Sequence, residues 1–368
     1  MGFYLFLKPM QNKRLFIWGG MLLTLAIIIR LYSGSAIRVE NGYATVIYPS
    51  FSAGLRHLFG WLPFSFGDIL YGICIFWLLW KLFKGIRALV KKRVTGQSFV
   101  RGCLKAVVIF LAVYVIFNVF WGINYNRIGI ANQLQLKMDK YSLDDLKNIN
   151  NILVAKANAS KQVLLRQQFK YPGSNIMFDE VQKAYGVVDS LYPFLQYQTI
   201  SLKSSMWGWA GNYLGFTGYY DPFTGEAQVN TTVPKFLQPF ISCHEVAHQL
   251  GYAKEMEANF VGYLAASSSK DTFFHYSVYL DLFIYSNRNL FVIDSSAARE
   301  SAKLLLPEIK NDLKEWRDFN KRHKNPIEPV IRWVYGKYLE QNQQPQGVLS
   351  YDEVTGFLIA YYKKFGKI

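Results

Sequence analysis

Three long apolar stretches come first, and a mixed apolar and polar pattern follows them. Residues 15–32 (LFIWGGMLLTLAIIIRLY), 64–83 (FSFGDILYGICIFWLLWKLF) and 104–123 (LKAVVIFLAVYVIFNVFWGI) carry almost no charge. About 20 apolar residues cross the roughly 30 Å hydrocarbon core as a helix, so each stretch predicts a transmembrane helix. Arg30, Asp68 and Lys81 sit near stretch ends, where a long side chain can snorkel. Trp18, Trp77, Trp80 and Trp121 are spread as interfacial aromatics are.

Beyond residue 124 the pattern is that of a mixed globular domain. Ser142-Leu143-Asp144-Asp145 reads as a helix start, with Ser142 as the cap, and the helix continues to about 168. Residues 179–190 read as a short helix. Residues 195–232 change to Thr, Tyr, Phe and Gly, and predict two strands, Gly215–Tyr220 and Glu226–Thr232, around a turn at 221–225. Helices are expected over 240–250, 254–268, 273–290, 295–320, 327–341 and 350–364. The fold class is therefore α+β and mostly helical. A membrane domain (1–123) precedes a second domain (124–368) with a small β-sheet.

Charge gives these spans a direction. The chain carries 41 Lys and Arg against 25 Asp and Glu, a net charge of +16. Residues 1–105 hold fourteen of the basic residues and only Glu40 and Asp68 as acids, which is +12 of the +16. Basic charge concentrated among apolar spans points to membrane orientation and away from nucleic acid. Lys8, Lys13 and Arg14 precede the first span, and eight basic residues without an acid lie from Lys81 to Lys105. The positive-inside rule then puts the N-terminus and residues 84–103 in the cytoplasm, and residues 124–368 outside it. A cleaved signal ending near Ser33-Gly34-Ser35-Ala36 is the competing reading, which Arg30 and the length of the run disfavour. The aromatic lead-in to the second span, Tyr48 to Trp61, is expected in the membrane interface. Cys74, Cys103 and Cys243 suggest no disulfide framework.

The chemistry is concentrated at His244-Glu245-Val246-Ala247-His248. Positions i and i+4 share a helix face, so two imidazoles can reach one metal ion. Glu245 falls where a carboxylate can take a proton from an activated water. Five histidines are present in all, and the flanks Phe240, Ile241, Val246, Ala247 and Leu250 make a solvated charged helix implausible. Catalytic zinc needs a third ligand and an open position. Glu255, reached across a turn at Gly251, is the first choice, and Glu257 the alternative. They lie on opposite sides of a helix, so one of them ligates. Asn259, at i+4 from Glu255, could support a ligand by hydrogen bonding. Lone His275 reads as structural. Tyr220, Tyr252 and Tyr276 are possible oxyanion donors, among which the sequence does not choose. A metzincin site is disfavoured, because Lys254 stands where its third histidine belongs.

HEVAHQLG-YAK-EMEANF is similar to the gluzincin arrangement, in which a second helix supplies a glutamate ligand. More closely, the sequence resembles the bacterial membrane family DUF3810, grouped with zincin-like metallopeptidases. The blocks that carry it are LPFSFGDILY (62–71), FWGINYNR (120–127), GFTGYYDPFTGEAQVN (215–230) and HEVAHQLGYAKEMEANFVGYLA (244–265). The resemblance implies three spans and a zincin-like domain in the cytoplasmic membrane of a bacterium. The expected activity is zinc-dependent hydrolysis of a peptide or protein in the cell envelope, with Zn²⁺ on His244, His248 and Glu255. A non-catalytic zinc-binding module of an envelope complex is the alternative.

Overall fold

Three helices carry the apolar stretches: Pro9–Ser33, Phe66–Val90 and Gly96–Phe120. The computed structural model describes residues 9–368, with side chains from Lys13 onward, so Lys8 lies outside the described residues. All three helices are long and apolar enough to cross a membrane. Their large side chains point outward, among them Ile28, Phe76, Leu79, Phe110 and Ile116, as a lipid solvent requires and water would oppose. The second and third helices are shifted from the hydropathy windows. Lys and Arg form helices well, so the second runs on through Lys84 and Arg87. The third starts earlier, where Thr95 and Ser98 form a reciprocal capping box. The basic connection shrinks to a turn of residues 91–95, with Lys92 in the left-handed region at φ 50°.

By its internal contacts the chain divides into two units. One is Met1–Tyr48 with Phe66–Arg127, and the other is Pro49–Ser65 with Ile128–Ile368. The segment between the first two apolar helices is thus shared between units, and it is almost wholly helical. A π-helical stretch, Val39–Ile47, leads into helix Tyr48–Phe59. Inside the first unit, Tyr43 donates from its hydroxyl to the Val119 carbonyl at 2.8 Å. Arg127 grips Glu40 with two bonds, Nη2 to Oε1 at 2.7 Å and Nε to Oε2 at 3.1 Å. Both side chains are less than a tenth exposed.

The second unit is helical around a three-stranded sheet. β1 (Leu202–Ser204) runs parallel to β3 (Glu226–Val229), and β2 (Gly218–Asp221) pairs antiparallel with β3, giving the order β1-β3-β2. The hairpin β2–β3 turns where the sequence predicts, with Gly225 at φ +69°. β1 is an addition to that reading, and so is the helix Gly208–Leu214, which Gly215 closes at φ +81°. The expected strand start at Gly215 therefore moves to Gly218. Residues 295–320 form two helices, Ser295–Lys303 and Pro307–His323, in place of one. Pro307 lacks an N–H and so starts a helix. Asn158 fills the gap, accepting from the Leu306 N–H and donating to the Leu304 carbonyl.

The Ser142 cap forms as expected, with Asp145 returning the bond. Helix Leu143–Arg166 packs along helix Thr272–Ile293, and the core they share encloses the motif helix Gln238–Gln249, every residue of which is buried.

The Glu40–Arg127 pair yields a test of the first unit. Arg127→Ala removes both bonds of this pair from a buried carboxylate, which costs about 3–5 kcal/mol. A marked loss of thermal stability in detergent is expected, with substantial recovery in the double variant Glu40→Ala/Arg127→Ala. An unchanged single variant would contradict it.

Candidate metal centre

His244 and His248 lie one turn apart on the motif helix, with rings 4.7 Å apart and perpendicular. The helix ends at Gln249, and Gly251 two residues on, at φ +86°, lets the chain reverse. Four residues later helix Glu255–Ser268 begins and returns over the motif helix. Gly262 makes the close crossing possible, because a Cβ there would stand 3.0 Å from the His244 backbone nitrogen.

That crossing brings Glu255 Oε2 to 3.2 Å from His244 Nε2 and 3.4 Å from His248 Nε2. The three ligand-type atoms all lie within 4.8 Å of one another. The opposite ring nitrogens are engaged. His248 Nδ1 donates to the Tyr252 carbonyl at 2.8 Å. His244 Nδ1 donates to Asn259 Oδ1, also at 2.8 Å, and the Asn259 amide donates in turn to the Tyr351 carbonyl. Carbonyl oxygens only accept, so in the neutral rings the proton sits on Nδ1 and both Nε2 lone pairs face Glu255.

Glu257 does not join them. Its carboxylate lies against Gly129, where a Cβ would fall 1.9 Å from Oε1, and Gly129 itself is at φ +90°. Glu245 lies beside the strand: a Cβ on Gly218 of β2 would be 2.4 Å from its Oε1. The other oxygen, Oε2, is buried with no hydrogen-bond partner among the described residues.

The C-terminal part of the site was not foreseen from the sequence. Tyr335, on helix Glu328–Gln341, donates to Glu255 Oε1 at 2.8 Å, and its hydroxyl is 3.2 Å from that of Tyr351. Tyr351 stacks on His244 with ring planes 15° apart. Gln344 accepts from the Glu255 N–H. No local signal marks these residues, since each meets the motif from far along the chain. Of the tyrosines proposed from sequence, Tyr252 donates to Gln133 and Tyr276 to Asp312. Tyr220 lies on β2. His275 bonds the Ser269 carbonyl.

Burial sets the electrostatics. It raises the Glu245 carboxyl to about 7, against the pull of His244 and His248. Burial also disfavours charge on His248, but Glu255 outweighs it and holds the imidazole up at about 9. Burial works against the Glu255 carboxylate too, yet His248 and His244 hold it well below its usual range.

Together these features describe a protein with three helices of membrane-crossing length and a folded unit built around a buried His-His-Glu cluster. Residues 43–359 match the family described as protein of unknown function (DUF3810), and the chain belongs to that family. No curated protein and no solved structure matches it.

The shifts predict a pH response of the metal-free protein. His248, raised from 6.5, contributes stability in full below 6.5 and loses it as pH climbs through about 9. Glu245, raised from 4.5, loses its contribution in the same direction up to about 7. Melting temperature measured with a chelator present should therefore fall steadily between these limits, and Glu255→Gln should flatten the upper part. A level wild-type profile would refute the assignment.

Proposed function

We propose that this chain is a membrane-anchored zinc hydrolase of peptide bonds, with its second unit on the extracytoplasmic side. The observation that carries the reading is the convergence of His244 Nε2, His248 Nε2 and Glu255 Oε2. Tetrahedral zinc with arms of about 2.0–2.1 Å separates its ligand atoms by roughly 3.3–3.4 Å. The contacts of 3.2 and 3.4 Å to Glu255 Oε2 fit that edge. The donor set, two neutral imidazoles and one carboxylate, suits zinc, and partners on both Nδ1 atoms are what ligating histidines need. A bound zinc ion would polarise a carbonyl and acidify a water towards a pKa of about 7.

The chain's own groups supply the rest. Tyr335 holds Glu255 in place through Oε1 and leaves Oε2 for the metal. Glu245 takes the proton of the attacking water at Oε2 and passes it to the leaving amine as the carbon–nitrogen bond breaks. In the metal-free site burial raises this carboxyl to about 7, the direction that favours accepting a proton. β2 forms one edge of the sheet and adjoins Glu245, so an extended peptide can add alongside it. The basic residues ahead of the first apolar stretch (Lys8, Lys13 and Arg14) and around the turn between the second and third helices support the assigned side, by the positive-inside rule.

Two variants separate chemistry from metal binding in the purified full-length protein. Glu245→Gln should keep its zinc, measured by elemental analysis, while hydrolysis falls about 100-fold or more. Gly218→Ala should also keep fold and metal but displace the Glu245 carboxylate, with about a tenfold loss of rate. Full hydrolysis by Glu245→Gln would rule out this mechanism. A zinc-loaded wild type inert to a broad peptide library would favour a structural role for the metal.

A further inference from the structure

The segment that enters the second apolar helix is bonded to the motif helix and its sheet. Helix Tyr48–Phe59 reaches the residue after His248: Ser52 Oγ donates to the Gln249 carbonyl at 3.0 Å, and Arg56 Nη1 adds a bond at 3.4 Å. Arg56 also donates to the Thr199 carbonyl at 3.0 Å and lies over the Tyr197 ring. The Gln249 side chain spreads this connection by donating to the Ser201 and Gly225 carbonyls at the start of β1 and β3. Further on, Lys203 of β1 donates to the Gly60 and Leu62 carbonyls. Ser65 pairs with the Gln228 carboxamide of β3 at 2.8 Å. Ser65 is the residue immediately before the second apolar helix, and every bond here is internal to the second unit.

These bonds form a short path to the site. Gln228 pairs with Tyr219 on β2, and the neighbouring Gly218 touches Glu245. One side-chain arm, one strand spacing and one residue place the Glu245 carboxylate within roughly 20 Å of Ser65. The same segment exposes Leu58, Trp61 and Phe64, at 60, 75 and 44%. Apolar and Trp side chains exposed beside a span entry favour the membrane–water interface.

We propose that the substrate is a polypeptide anchored in the same membrane and cut close to the bilayer. Extended chain covers about 3.3 Å per residue, so bonds within about six to ten residues of the surface fall in reach. This deepens the hydrolase reading and rests on it. The path from Ser65 to the site lies within the second unit, so the site is held at a short distance from the residue after which the second apolar helix begins. A tethered chain reaches it at high effective concentration.

The test uses the full-length zinc-loaded protein in nanodiscs and has two arms. In the first, Cys74 and Cys103 are replaced by Ser, and a dye on Thr217→Cys is read by energy transfer to labelled lipid headgroups. A separation of about 30 Å or less is expected, from the path length and dye linkers, and one beyond about 45 Å would overturn the proposal. In the second arm, a mixed-sequence decapeptide library is joined to a transmembrane helix by spacers of about five, ten, twenty or forty residues, or left free. Cleavage at the two shortest spacers, at least about tenfold faster than for the free library, is expected. Cleavage restricted to the long spacers, or equal for the free library, would overturn it. No cleavage of any substrate would sink the hydrolase reading, whereas the distance arm judges the placement independently of activity.

Discussion

The anchoring of two imidazoles at Nδ1 is the constraint on which the rest of the site depends. The Tyr252 carbonyl and the Asn259 side chain fix both rings, so that their Nε2 atoms face one carboxylate oxygen. Without those partners each ring could rotate or change tautomer, and the convergence on Glu255 would be lost. The same two contacts tie the site to the backbone reversal: Tyr252 lies in the turn, and Asn259 lies on the returning helix. The meeting of the three side chains and the chain path are therefore one arrangement. Gly251 allows the turn at φ +86°, and Gly262 allows the helices to approach closely enough to use it.

Around this centre, burial does chemical as well as structural work. A fully buried motif helix removes water from Glu245 and raises its carboxyl toward neutrality, while Glu255 stays ionised because two imidazoles face it. Two carboxylates on adjacent helices thus acquire different characters from their neighbours alone. The third, Glu257, is directed to Gly129. Gln249 carries the arrangement outward, linking the end of the motif helix to the sheet and to the segment before the second apolar helix.

Much of this was legible in the sequence, for local reasons. The apolar stretches, the Ser142 cap, the Gly225 hairpin, the Gly251 reversal and the i+4 relation of Asn259 to Glu255 depend on residues close together in the chain. Glu255 was preferred for its place across the Gly251 turn, but the place of Glu257 was not legible, because its carboxylate lies against Gly129 from a distant segment. Tyr335, Gln344 and Tyr351 were hidden for the same reason. The strand Leu202–Ser204 is too short to alternate, and it is held by pairing with β3 rather than by its own composition. Hydropathy placed the apolar helices but missed their ends, where charged residues good at forming helices continue them. The break before Pro307 was missed, and Asn158, which bonds Leu304 and Leu306 there, lies on another helix.

The central claim, a single metal held by two imidazoles and one carboxylate, is most directly tested by X-ray absorption at the zinc edge on the full-length protein. The account predicts two imidazole nitrogens and oxygen at about 2.0–2.2 Å, with no sulfur. A sulfur shell near about 2.3 Å, or fewer than two imidazoles, would contradict it.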